Sequence, residues 1–320
     1  MKARAIFLDA KTIGEDISLQ PLHEVSDITI LPSISDDEVL RACRGLPIIV
    51  TNKIPFDRKR LEALSPDLRL ICLTATGYNN VDIPAANELG IVVCNVRGYS
   101  TTSVAQHTIG MALALLQQLE YYHHFVVSGA YSRSKMFTNF ERTWYELEGK
   151  TWGIIGMGAI GKKVAEVASV LGCNIAYYST SGKNTTQGYT HLALADLLGQ
   201  SHIVSIHAPL NNATRNLINA EKLSYMKKDA ILINAGRGGI VAEDDLAETL
   251  LEGGIRGAAL DVFSNEPIEA DSPLLQLPEG RILLSPHAAW GSTEARTRVI
   301  EGVAKNIRAY LNGKPQNTVG

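Results

Sequence analysis

Short apolar, β-branched runs alternate with stretches of helical period from one end of this chain to the other, and that alternation leaves few folds open. AIFLDA, SDITIL, PIIVTN, LRLICLTAT and IVVCN come first, with SDDEVLRACRG and DIPAANELG between them as helices; the first helix is expected to open at Ser35 or Asp36 and close at Gly45. TWGIIG, NIAYYS, HIVSIHAPL, AILINAG, GAALDVF and RILLSPH follow, interleaved with KKVAEVASVLG, NAEKLSYMKKD and AEDDLAETLLEGG. Successive strands joined by helices run parallel. The predicted fold is therefore α/β with two doubly wound parallel sheets, a flavodoxin-like one first and a Rossmann one second.

At roughly 150 residues per domain, a chain of 320 residues suggests two domains. The expected division is a catalytic, substrate-binding domain of residues 1–99 plus 290–320 and an NAD(P)-binding Rossmann domain of residues 100–289, with a hinge near Gly98 and Gly291. Residues 100–127 read as one long helix with Ser and Thr at its front, and residues 128–150 as an aromatic arm without a period. The last amphipathic stretch, closed by Gly313 and Pro315, is expected to pack back on the first domain. A formal charge of -3 with no basic block gives no footprint for nucleic acid. No segment has the length of a membrane span or a signal sequence, so a cytoplasmic protein is expected. Cys43, Cys72, Cys94 and Cys173 lie far apart, which fits reduced thiols rather than disulfides or a metal site.

Four of the apolar runs in the second half stop at residues suited to chemistry: Gly156, Arg237, Asp261 and His287. In an open α/β sheet ligands bind beyond the carboxyl ends of the strands, so these stops converge on one site. Gly156, Gly158 and Gly161 in GMGAIG follow a strand and open a helix, the setting in which this spacing cradles a dinucleotide pyrophosphate. The amides of Met157, Ala159 and Ile160 would face the phosphates at the positive end of that helix. The acidic residue that grips the adenosine ribose is missing from NIAYYSTSGKN; Ser179, Thr180, Ser181 and Lys183 stand there instead. They either accept the 2'-phosphate of NADP or form a plain polar turn, so the cofactor is read as NAD or NADP.

Reducing a ketone leaves charge on oxygen, and His287, held after Pro286 beside small Ala288 and Ala289, is the candidate proton donor. Glu266, before Pro267, can hydrogen-bond the imidazole and favour its charged form. Asp261 either takes the carboxamide or ribose of the nicotinamide half or caps its own turn. Arg237 in AGRGG can bind a carboxylate through both prongs of its guanidinium.

The glycine loop, Arg237, Asp261, Glu266 and His287 in this order resemble the D-isomer-specific 2-hydroxyacid dehydrogenases. TGYNNVDIPAANELGIVVCNV, GYSTTSVAQHT, GKTWGIIGMGAIGKKVA, VSIHAPLNNATRNLI, INAGRGGIV and SPHAAW spread the resemblance over nearly the whole chain, and YNNVD, VAQHT and PHAAW are most similar to the glycerate dehydrogenase, or hydroxypyruvate reductase, branch. The resemblance implies that His287 is the acid/base, Glu266 its partner and Arg237 the anchor of the substrate carboxylate and carbonyl. It further implies that the amides of Thr76 and Gly77 bind that carboxylate, that Ala208, Pro209 and Thr214 line the cofactor, and that Ala235 touches the nicotinamide. Trp144 is similar in position to a tryptophan that relatives insert toward a neighbouring subunit, which implies a homodimer. The implied reaction is reduction of hydroxypyruvate to D-glycerate, with glyoxylate as a smaller acceptor. The alternatives are another D-2-hydroxy acid such as D-lactate, or a nucleotide-sensing corepressor. Two departures stand out: Glu266 where formate dehydrogenases carry glutamine, and Arg97 where relatives usually carry proline.

Overall fold

The computed structural model describes residues 2–185 and 188–320, which form two compact units. One unit holds the described residues up to Ser100 together with Gly291–Gly320; the other is Thr101–Trp290.

The first unit is built on β1 (Arg4–Phe7), β2 (Asp27–Ile30), β3 (Ile48–Thr51), β4 (Leu70–Leu73) and β5 (Val92–Cys94), all parallel in the order β2-β1-β3-β4-β5. Every residue of β3 and β4 is buried, as a parallel strand covered on both faces requires. The crossovers carry α1 (Gln20–Val25), α2 (Val39–Cys43), α3 (Arg58–Leu64) and α4 (Ile83–Glu88). Asp57 and Asp82 cap α3 and α4 by accepting from the amides of Arg60 and Ala85. The opening of α2 differs from expectation. The helix begins only at Val39, and Ser35 Oγ donates to Glu38 Oε2 at 2.7 Å instead of capping it, because the intervening residues are used up in a turn. The C-terminal helix, Thr293–Leu311, is capped by Ser292, buries Val299, Ile300, Val303 and Ile307 in this unit, and gives way to Gly313 at φ +72°.

The second unit is a seven-stranded parallel sheet ordered β12-β11-β10-β9-β6-β7-β8. Its strands are β6 (Thr151–Ile155), β7 (Asn174–Tyr178), β8 (Thr190–His191), β9 (Ile203–Ile206), β10 (Ile231–Asn234), β11 (Gly257–Leu260) and β12 (Ile282–Leu284). The order reverses between β6 and β9, the Rossmann switch point. The edge strand β8 carries two exposed residues and no apolar run, so its sequence offers no strand signal. The helices are α5 (Thr101–Gln117), α6 (Leu119–Val127), α7 (Ala130–Arg133), α8 (Ala159–Val170), α9 (Leu194–Gln200), α10 (Ala220–Leu223) and α11 (Glu243–Leu251). Alternate residues of the strands feed two cores. Trp152, Ile154 and Ile233 meet α5 and α8 through Leu115, Leu116, Val164 and Ala168. Ile155, Val204 and Leu232 meet α9 and α11 through Leu197, Leu198, Leu246 and Leu250.

The single long helix expected over residues 100–127 is two helices. Gln118 turns left-handed (φ 53°, ψ 41°), and its side-chain amide donates back to the carbonyl of Leu115 at 2.7 Å, closing α5. No glycine or proline marks that break, so the apolar period runs through it unannounced. The helical reading of NAEKLSYMKKD likewise shrinks to the four residues of α10.

Candidate functional site

The glycine loop joins β6 to α8. Gly156 sits at φ +96°, and a Cβ there would lie 2.8 Å from the amide nitrogen of Ala208 and 2.9 Å from the carbonyl carbon of His207, so no side chain fits the turn. A Cβ on Gly161 would fall 2.3 Å from the carbonyl oxygen of Gly156. Gly158 is different: nothing lies within 4 Å of the space its Cβ would fill, and as N-cap residue it gives α8 no side-chain cap. The first-turn amides, at Ala159, Ile160 and Gly161, have no carbonyl within the helix to bond. An uncapped helix end facing open space at a glycine is the donor set a diphosphate needs, and it fits a dinucleotide. Met157 contributes backbone only, its side chain being buried in the sheet core.

Beyond β7, where the adenosine end of such a ligand would lie, Ser179 is buried and accepts from the amide of Asn184 at 3.3 Å, while Lys183 is exposed. Thr180 is half-buried between them. No carboxylate stands among these residues, leaving a hydroxyl and ammonium surface.

At the other half of the sheet, β11 and β12 deliver Asp261 and His287 side by side. The main-chain amide of His287 donates to the carbonyl of Asp261 at 2.7 Å, extending the pairing of the two strands past their ends. His287 itself adopts φ +51°, a left-handed turn that swings the imidazole out of line with the strand. Its Nδ1 lies 2.7 Å from Oε2 of Glu266, and the other oxygen, Oε1, accepts from the amide of Phe263 at 3.2 Å. The carboxylate is thereby fixed with one oxygen on its own loop and one on the histidine. Both side chains keep about a quarter to a third of their surface open, 26% and 30%.

Asp261 bonds within the protein. It is 1% exposed, and its oxygens accept from Ser285 Oγ at 2.5 Å, the amide of Ala288 at 2.8 Å and the amide of Ala289 at 3.0 Å. Asp261 thereby caps and holds the turn that carries His287, one of the two roles open to it. Thr214 is likewise turned inward. Fully buried, its hydroxyl donates to the carbonyl of Pro209 at 2.7 Å and accepts from the amide of Asn211 at 2.8 Å, so it shapes the loop after β9 from within. Ala208 is also buried, and Pro209 is the exposed member of that loop.

Arg237 follows β10, half-buried. Among the described residues its guanidinium finds no acidic partner, only the carbonyl of Gly236 at 2.8 Å from Nη1. The loop around it is held by Asn234, whose side-chain amide donates to the carbonyl of Arg237 at 2.9 Å while its oxygen accepts from the amide of Gly236 at 3.1 Å. Asn234 was not foreseen as a site residue; a buried amide ending the otherwise apolar run AILIN is the signal that could have found it. Ala235 lies in a small cluster with Val104 and Ala289, close to the His287 turn.

His207, just past β9, is partly buried, and desolvation of its ring pushes its pKa down to about 3. Its Nε2 sits 3.0 Å from Ser205 Oγ, which also accepts from the Trp152 indole at 2.9 Å. It is a neutral ring under the glycine loop and carries no charge into the site.

The remaining expected residues lie elsewhere. Thr76 and Gly77 belong to the first unit, just past β4, where Asn95 Nδ2 donates to the carbonyl of Thr76 and Thr76 Oγ1 donates to the carbonyl of Val96 at 2.9 Å. Trp144 lies on the arm after α7, about half exposed. Phe137 and Phe140 of that arm are 86% and 83% exposed, and α6 before it buries none of its residues.

Comparison with known proteins places this geometry. Residues 109–289 match the model of the D-isomer specific 2-hydroxyacid dehydrogenase family, NAD binding domain. The chain is 34% identical over its whole length to a glycerate dehydrogenase of Methylorubrum extorquens, covering 99% of it. It is 39% identical to a glyoxylate reductase of Aeropyrum pernix, over 87% of this chain and 83% of that one. Among solved structures, an NADPH-dependent glyoxylate/hydroxypyruvate reductase from Sinorhizobium meliloti, in complex with NADP and malonate, superposes with a TM-score of 0.85 at 27% identity, covering 100% of this chain and 97% of that one.

Proposed function

The chain belongs to the D-isomer specific 2-hydroxyacid dehydrogenases, oxidoreductases that use NAD or NADP, and from that premise we propose that it reduces hydroxypyruvate to D-glycerate, with glyoxylate as a second acceptor. The observation that carries the reading is the pair of His287 Nδ1 and Glu266 Oε2 at 2.7 Å on the carboxyl edge of the sheet that also bears the glycine loop and Arg237.

The bound nicotinamide supplies the hydride. The protein supplies what the oxygen of the carbonyl then needs. With Nδ1–H donating to Glu266, the proton for transfer sits on Nε2 of His287, and the carboxylate stabilises the imidazolium until it is discharged. Arg237, whose guanidinium meets no acidic partner among the described residues, takes the substrate carboxylate in two-pronged geometry and polarises the adjacent carbonyl. The first unit, which carries the amides of Thr76 and Gly77, is the substrate domain and the second the dinucleotide domain. Gly158 and the amides of Met157, Ala159, Ile160 and Gly161 hold the diphosphate. Thr180 and Lys183 suit the 2'-phosphate of NADP, while the absence of a carboxylate there removes the usual grip on the NAD ribose.

The exposed apolar arm supports a homodimer, since Phe137, Phe140 and Trp144 lie on one stretch with α6, and contiguous exposed apolar surface marks an interface. Reliance on reduced nicotinamide and four free, buried cysteines fit a cytoplasmic setting.

The test is to follow NADH and NADPH oxidation separately with hydroxypyruvate, glyoxylate, pyruvate and a branched oxo acid. The expected result is the highest kcat/KM for hydroxypyruvate and a preference for NADPH. A higher value for pyruvate would move the assignment to a D-lactate dehydrogenase, and sedimentation of the same sample as a monomer would remove the dimer.

A further inference from the structure

A second histidine is wired to the turn that carries His287. On α5, Nε2 of His107 lies 3.0 Å from Ser285 Oγ and 3.6 Å from Asp261 Oδ1. Ser285 Oγ is in turn 2.5 Å from the same Asp261 oxygen, and that carboxylate accepts from the amides of Ala288 and Ala289. One turn earlier on the same face of α5, Ser103 Oγ donates to the carbonyl of Ala289 at 2.6 Å. The helix therefore grips the turn at two points.

Counting protons decides the direction of the His107 bond. An ionised carboxylate only accepts, so the single hydroxyl proton of Ser285 goes to Asp261. The hydroxyl has nothing left to give to His107, whose Nε2 must therefore be the donor. We propose that His107 is a positioning residue: its Nε2–H orients the Ser285 hydroxyl onto Asp261, and Asp261 holds the left-handed turn that aims His287 at Glu266 and the substrate. This rests on the reading of His287 as the acid/base. The effect of His107 on that pair passes through the 285–289 turn. A dehydrogenase of this design thus uses one histidine for the proton and a second for the aim.

The experiment compares His107→Leu, His107→Gln and Ser285→Ala with the wild-type enzyme, using steady-state kinetics and ring-nitrogen NMR of histidine-labelled protein. A glutamine amide can stand where Nε2 stands and donate; leucine fills the space and cannot. His107→Leu and Ser285→Ala should each lower kcat roughly ten- to a hundredfold, the scale of a misaimed catalytic group, with KM for the dinucleotide little changed. His107→Gln should restore most of the loss, and the double variant should be no worse than either single one. In the wild type, His107 should show its proton on Nε2, and the His287 ring resonances should move in His107→Leu. Equal loss in His107→Gln and His107→Leu would reduce His107 to a packing residue, and additive losses or unmoved His287 resonances would end the proposal. Failure of the underlying reading looks different: His287→Ala would keep its turnover while the His287 ring resonances still responded to His107→Leu.

Discussion

The two sheets share an architecture and differ at their carboxyl edges. In the first unit the polar side chain at the switch between β1 and β3 is Asp9, 6% exposed, and it turns inward. Its oxygens accept from the amides of Asn52 at 2.9 Å and Lys53 at 2.8 Å and from Thr51 Oγ1 at 3.2 Å, so it spends its capacity on its own chain, and burial raises its pKa above the usual carboxylate value. In the second unit Arg237 and the His287–Glu266 pair stand at the edge with surface open, while Asp261 and Asn234 are consumed in holding them there. The same strand-end position thus braces its own chain in one sheet and, in the proposed function, presents rigidly held groups with open surface in the other.

The sharpest way to break this contrast is His287→Ala. Turnover should fall by roughly 10² to 10⁴ with the melting temperature and dinucleotide affinity nearly intact; an unchanged kcat would leave the second edge without its acid. Arg237→Lys comes next. It keeps the charge and loses the fork, so KM for the oxo acid should rise about tenfold or more, and a normal KM would place the carboxylate elsewhere.

The glycines divide the loop in the same manner. Gly156→Ala must hold φ +96° and push on the backbone at Ala208, so the protein should lose at least about 2 kcal/mol of stability. Gly158→Val meets nothing, and should leave the unfolding curve in place while weakening NAD(P)H binding in a fluorescence titration. Equal effects from the two would erase the distinction between a turn glycine and a ligand glycine.

In the first unit, Asp9→Ala orphans the buried amide of Asn52 and the partly buried amide of Lys53 and should lower stability by about 1–3 kcal/mol while kcat stays near wild type. A large loss of kcat without loss of stability would show that the first edge also carries chemistry. The smallest effect concerns pH. His207 is held neutral by burial, with its folded pKa near 3 and an unfolded value near 6.5. A depressed folded pKa contributes stability that is present above the unfolded value and is lost as pH falls toward the folded one. Denaturant unfolding should therefore show on the order of 2 kcal/mol less stability at pH 5 than at pH 7.5, a slope that His207→Gln should abolish.

The fold was readable because its signals are local. Strand runs such as IIVT and ILIN are apolar up to their last residue, as a doubly covered parallel sheet demands, and the left-handed turn at Gly156 and the contact of Gly161 with the Gly156 carbonyl lie within six residues. The break at Gln118 was not readable, since a left-handed glutamine capped by its own side chain leaves no mark in an apolar period. His287, Glu266 and Arg237 were singled out from strand-end position and family likeness, but the role of Asp261 was open to two readings. Asp261 finds its donors at Ser285, Ala288 and Ala289, across a strand pairing that no local pattern encodes. The hydroxyl of Thr214 faces inward onto its own loop, which its place in HAPLNNAT does not announce.

What the chain determined by itself was every strand but β8, their parallel pairing and the identity of the groups at their ends, because period, turn chemistry and glycine geometry act over a few neighbouring residues. Which of those groups became a brace and which an open hand was decided only in the folded protein. Hydrogen-bond capacity is finite, and whether a carboxylate or a hydroxyl has any left for a ligand depends on partners brought beside it from far along the chain.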